Sequence, residues 1–151
     1  MDGKVVREEI GLAARTDQLV VAREFVARVL KATAMAERDA RAVVLAVDEA
    51  VANAMQHGQH QTQDVIVIRA VCDGVRFSVT IVDNGESFDV AERVNGSDIN
   101  MGNHIAAGRK RGLGLFIMRK VMDEVSYAYK DGRNNELTLV KYIRPEVPEM
   151  T

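Results

Sequence analysis

The chain has 151 residues, 47% of them hydrophobic and 28% charged, the composition of one soluble globular domain. Twenty basic against 22 acidic residues leave a net charge of −2, without the basic footprint of a protein built to hold nucleic acid. Aromatics make up 5% with no Trp, which argues against base stacking, and the runs Ala42–Val47 and Leu113–Met118 fall far short of the ~20 apolar residues of a membrane helix. The start, MDGKVVREE, has no apolar signal core, and the single cysteine, Cys72, cannot form an internal disulfide, so the cytoplasm is the expected compartment.

A first strand is predicted from about Val5 to Leu12, against the opposition of Glu8, Glu9 and Gly11. Thr16–Asp17 is a candidate cap for a helix carrying Leu19, Val20, Phe25, Val26, Val29 and Leu30 at helical spacing. A second helix is predicted from near Glu37 to His57, stopped by Gly58. Strands follow over Val65–Val71 and Val75–Val82, joined by a two-residue hairpin signal at Asp73–Gly74. Residues from about Glu86 to Arg111 show no period, which marks a functional loop or a disordered segment. A third helix starts near Gly112 and carries Leu113, Phe116, Ile117, Val121, Met122 and Val125. Val125–Lys130 and Glu136–Ile143 then pair around Asp131-Gly132, and the tail from about residue 145 is expected to fray. Short turns make neighbouring strands antiparallel. The expected fold is therefore α+β, a two-layer sandwich with three helices covering one face of a mostly antiparallel mixed sheet, in a single domain.

Three groups of residues stand out. On the second helix Ala40, Val43, Val44, Val47, Val51 and Ala54 form the predicted core stripe, while Glu49, Asn53 and His57 step at i, i+4, i+8 well away from it. Ala46 and Ala50 flank that polar stripe and would leave a low surface for a ligand. The stripe reads either as a solvated face or as a site in which Asn53 ligates Mg²⁺ and Glu49 accepts a proton. Asp83-Asn84-Gly85 reads either as an ordinary turn or as a carboxylate at a strand end, placed to take a hydrogen bond from an amine such as adenine's, with Gly85 admitting a ring. Arg111-Gly112-Leu113-Gly114-Leu115 runs into a helix whose N-terminal N–H groups suit an anion, beside the charges of Arg109 and Lys110. It is not a Walker loop, lacking the Lys-Ser/Thr ending, and no strand precedes it as in a Rossmann turn.

Together these segments resemble the Bergerat-fold ATP-binding family shared by gyrase-type topoisomerases, sensor histidine kinases and anti-sigma factor serine kinases. The N box matches Asp48-Glu49-Ala50-Val51-Ala52-Asn53-Ala54 with His57-Gly58, and the first glycine box matches Asp83-Asn84-Gly85 with Phe88-Asp89. The second glycine box matches Gly112-Leu113-Gly114-Leu115-Phe116, and the closing strand matches Asn135-Glu136-Leu137-Thr138-Leu139. Glu49, Phe88-Asp89 and the short chain make the sequence most similar to the anti-sigma factor serine-protein kinases. The pattern departs from that branch at Val90, where Pro is common, across Asn95–Ala107, and at Asn134-Asn135, where a Gly-containing turn is usual.

The resemblance implies a homodimer that uses ATP and Mg²⁺, sequesters a sigma factor, and phosphorylates a serine of a STAS-type anti-anti-sigma protein. It implies Asn53 as magnesium ligand and Glu49 as base for the serine hydroxyl. Asp83 and Gly85 would hold adenine. Gly112 with Gly114 would hold the phosphates beneath a lid of about Asp89–Arg111, and Arg109, Lys110, Arg111, Leu113, Leu115 and Thr138 would also belong to the nucleotide site. Arg23 stands where relatives use an arginine toward protein partners, and reads equally as a solvated charge. His57 is expected to be structural, and His57 with His60 to be surface residues. Two other readings stay open: a module that binds ATP as a structural ligand and works by sequestration, and a partner-switch kinase whose target is not a sigma factor.

Overall fold

In a computed structural model of the chain, residues 5–56, 65–83, 116–130 and 134–144 are described. Five strands form one sheet: β1 (Val6–Ala13), β2 (Val65–Cys72), β3 (Arg76–Asp83), β4 (Glu124–Lys130) and β5 (Asn134–Tyr142). Their spatial order is β1-β2-β3-β5-β4, and each described pairing is antiparallel. Alternation assigns the faces. Ile66, Ile68, Ala70 and Cys72 of β2 and Phe77, Val79 and Ile81 of β3 are buried beneath the helices. The opposite face carries Val67, Arg69, Val71, Ser78, Thr80, Val82 and Thr138.

β1 holds as an edge strand although glutamates interrupt its apolar pattern. Ile10 and Leu12 sit opposite Ile68 and Ile66, so the buried face is continuous there. Glu8 takes Arg28 Nη2 at 3.0 Å, and Glu9, one residue on and therefore on the other face, takes Arg69 Nε at 3.0 Å.

The helices lie on one side. α1 (Leu19–Lys31) buries Ala22, Phe25, Val26, Val29 and Leu30 and packs on β1, β2 and α2 (Glu37–Gln56). α2 lies over β3 and β5. The expected cap at Thr16–Asp17 does not form. A 3-10 turn over Thr16–Gln18 leads straight into α1, and the Asp17 carboxylate is taken by Arg15 Nε at 3.1 Å.

Three other expectations shift. The two-residue hairpin loop is Gly74–Val75, not Asp73–Gly74: the Asp73 N–H donates to the Arg76 carbonyl at 3.3 Å and Gly74 takes φ +87°. The Asp73 carboxylate accepts the Val75 and Arg76 N–H groups at 2.9 Å each. Those bonds, Arg76's first, hold its carboxyl below the usual carboxylate range. The described part of α3 (residues 116–121) buries Met118 completely, whereas Phe116 is exposed with Lys120 Nζ 6.0 Å from its ring centre. Val125, which the apolar pattern gives both to the end of that helix and to the start of the strand Val125–Lys130, lies in β4, as the strand expectation has it, where it faces Leu139.

Candidate functional site

Among the described residues, the buried polar or charged side chains are Asn53 (6% exposed), Asp83 (9%) and Asn135 (6%), in an interior otherwise made of aliphatic side chains, phenylalanines, methionines and Cys72. Burying such groups is costly unless each is hydrogen-bonded, so their placement calls for a reason.

Asn53 and Glu49 lie one turn apart on α2, as their spacing predicts, but not well away from the core. Ala46 and Ala50 are themselves buried, at 0% and 1% exposure. Burial thus extends around this flank of the helix, and Asn53 lies inside it with the two alanines. Glu49 stays half-buried. Among the described residues the Asn53 Nδ2 group is the buried side-chain polar atom with no hydrogen-bond partner. A buried amide end left unmade costs about 1–3 kcal/mol. An amide can turn by 180° to present its carbonyl oxygen, so this end suits either a phosphate oxygen or a hard cation.

Asp83 closes β3 on the helix-facing side, in line with Phe77, Val79 and Ile81. Directly across the ladder is Asn135 of β5. Its Nδ2 donates to Asp83 Oδ1 at 3.3 Å, and the Tyr127 hydroxyl on β4 donates to Asn135 Oδ1. Neither Asn135 nor Tyr127 was expected at the site. The available signal was strand parity: Asn135 shares the inward face with Leu137 and Leu139, both buried.

The same parity corrects Thr138. Its side chain lies on the opposite face of the sheet, where its hydroxyl is 3.1 Å from that of Thr80. Thr138 therefore does not share the helix-facing side of the sheet with Asp83, whereas Asn135 of β5 does.

Arg23 of α1 is exposed and ion-paired: its Nε lies 3.2 and 3.0 Å from the two carboxylate oxygens of Asp48, the residue before Glu49. Gly85, Arg109, Lys110, Arg111, Gly112, Leu113, Gly114 and Leu115 lie outside the described residues. So do Asn84, Phe88-Asp89, the lid expected at 89–111, His57 and His60, the turn at Asp131-Gly132 and the tail from 145. Among the described residues no group of three or more His, Cys, Asp and Glu is arranged to hold a metal ion, and no helix is long and apolar enough to cross a membrane.

Residues 12–141 match the family model described as a histidine kinase-like ATPase domain. A protein named serine-protein kinase RsbW from Staphylococcus epidermidis is 34% identical over 106 residues, covering 68% of this chain and 65% of that protein's length. The protein of the same name from Bacillus cereus strain AH187 is 27% identical over 145 residues, covering 93% and 88%. A chain from the crystal structure of the SiaB–SiaC complex of Pseudomonas aeruginosa superposes with a TM-score of 0.61 at 17% identity, covering 91% of this chain and 90% of that one. That likeness shows the fold.

Proposed function

The chain belongs to the histidine kinase-like ATPase domain family, and from that premise we propose that it binds ATP between α2 and the β3–β5 pair and transfers the γ-phosphoryl group to a protein serine. The observation that carries this reading is that, among the described residues, the buried polar or charged side chains are Asn53, Asp83 and Asn135, and that the Asn53 Nδ2 has no hydrogen-bond partner. In this reading Asp83 accepts a hydrogen bond from the adenine amino group. Asn53 offers its amide oxygen to Mg²⁺, and the donor fits, since Mg²⁺ takes hard oxygen ligands and keeps waters and substrate phosphates as the rest of its shell. When bound, ATP with Mg²⁺ supplies the phosphoryl group and a divalent charge over the phosphates. Glu49 takes the proton from the serine hydroxyl as its oxygen bonds the γ-phosphorus and ADP departs.

The serine target follows from the relatives named serine-protein kinase. We assign the chain to partner switching: an anti-sigma factor that sequesters a sigma factor, phosphorylates a STAS-type antagonist and acts as a homodimer. Arg23 is the candidate contact on the partner side. Its ion pair with Asp48 ties α1 to the segment that carries Glu49.

Asn53→Ala tests the carrying observation. The substitution removes a buried amide whose Nδ2 has no partner in the free protein, so the free chain should unfold at the same temperature as the parent or above it. Calorimetric titration of ATP should lose the gain in affinity that Mg²⁺ gives the parent. Retention of the full Mg²⁺ effect in Asn53→Ala would remove the assignment.

A further inference from the structure

We propose that Tyr127 and Asn135 form a positioning relay that sets the purine preference of the Asp83 carboxylate. The inference rests on the nucleotide reading above and extends it to Asn135 of β5 and Tyr127 of β4.

The geometry has one polarity. A carboxylate only accepts hydrogen bonds, so Asn135 must turn its NH2 toward Asp83, as it does at 3.3 Å. The reversed amide would set carbonyl oxygen against carboxylate oxygen. That choice leaves the Asn135 carbonyl oxygen facing β4, where the Tyr127 hydroxyl donates to it. Register makes the chain reachable: Asn135 is directly opposite Asp83, and Tyr127, opposite Leu137, is diagonal to Asn135. Asp83 and Asn135 are buried and Tyr127 is half-buried, so each bond is strengthened by the low local dielectric and each misalignment is costly.

A carboxylate held this way presents an acceptor in one fixed place. Adenine offers a donor there and guanine a carbonyl oxygen, so the tighter the carboxylate is held, the larger the discrimination. Tyr127 and Asn135 touch no substrate in this scheme and act through Asp83.

The test is calorimetric titration of ATP and of GTP into the full chain, for the parent, Tyr127→Phe, Asn135→Ala, Asp83→Asn and the Tyr127→Phe/Asp83→Asn pair. Tyr127→Phe keeps the ring and serves if Asn135→Ala fails to fold. Tyr127→Phe should lower the ATP-to-GTP affinity ratio about three- to tenfold, the usual effect of one neutral hydrogen bond. In the Asp83→Asn background the same change should leave the ratio where it is, because the group it acts through is gone. A loss of folding stability alone would lower both affinities and leave the ratio unmoved. An unchanged ratio in Tyr127→Phe, while Asp83→Asn abolishes the preference, overturns the relay and leaves the nucleotide site standing. Equal ATP and GTP affinity in the parent overturns the site, and the relay with it.

Discussion

Glu49→Gln is expected to cut phosphoryl transfer to the serine substrate by about 10²–10⁴-fold, the usual contribution of a general base. Glutamine keeps the size of the side chain and most of its hydrogen bonding, but it does not take up the serine proton. Glu49 is half-buried, one turn before Asn53 on α2, and the proposal assigns both to the phosphate end of the site and not to the adenine end. ATP affinity should therefore stay within a few-fold of the parent, and capture of the transcription-factor partner should be intact. Radiolabel transfer from ATP to the purified antagonist, run beside a nucleotide titration, separates these effects. Undiminished transfer would leave catalysis to positioning and metal charge. Loss of transfer with sequestration preserved would exclude the reading in which ATP is only a structural ligand.

Asp83→Asn should weaken ATP binding by about ten- to 150-fold, the effect of losing a hydrogen bond to a charged acceptor of roughly 1.5–3 kcal/mol. The substitution is specific for a structural reason. The new amide can still offer an oxygen to the Asn135 NH2, so the contact across β3 and β5 survives. Its other end becomes a donor and meets the donor of the adenine amino group. Thermal unfolding of the free protein should thus change far less than nucleotide affinity. A large loss of stability with ATP affinity preserved would mean that Asp83 is a packing residue and no more.

The elements that carry the site were legible because periodicity and short motifs report local structure. Asn53 and Asp83 were named from their motifs, and both prove to be buried polar groups in an apolar interior. The placement of the Glu49–Asn53 stripe was not legible. A helical wheel orders the faces of α2 but does not say how far burial extends around its flank, and here it extends past Ala46 and Ala50. Thr138 shows the sharper failure. Side chains on a strand alternate with period two, so a residue matched at odd offset from Asp83's partner falls on the wrong face. Asn135 lies in the same matched segment, but apolar alternation begins only at Glu136, while the strand itself begins at Asn134. Tyr127 gave no signal at all. Its role depends on a diagonal contact between two strands, which exists only once the register is known.

The central claim is that the Asn53 amide, its Nδ2 unpartnered in the free protein, serves the phosphate end of a nucleotide. Its most direct test is the side-chain amide NMR signal of Asn53, assigned by its loss in Asn53→Ala, during titration with ATP and then with Mg²⁺. The account predicts that this signal moves saturably with ATP and moves again when Mg²⁺ is added, in step with the calorimetric binding curve. ATP binding that leaves the Asn53 signal in place, with or without Mg²⁺, would contradict it.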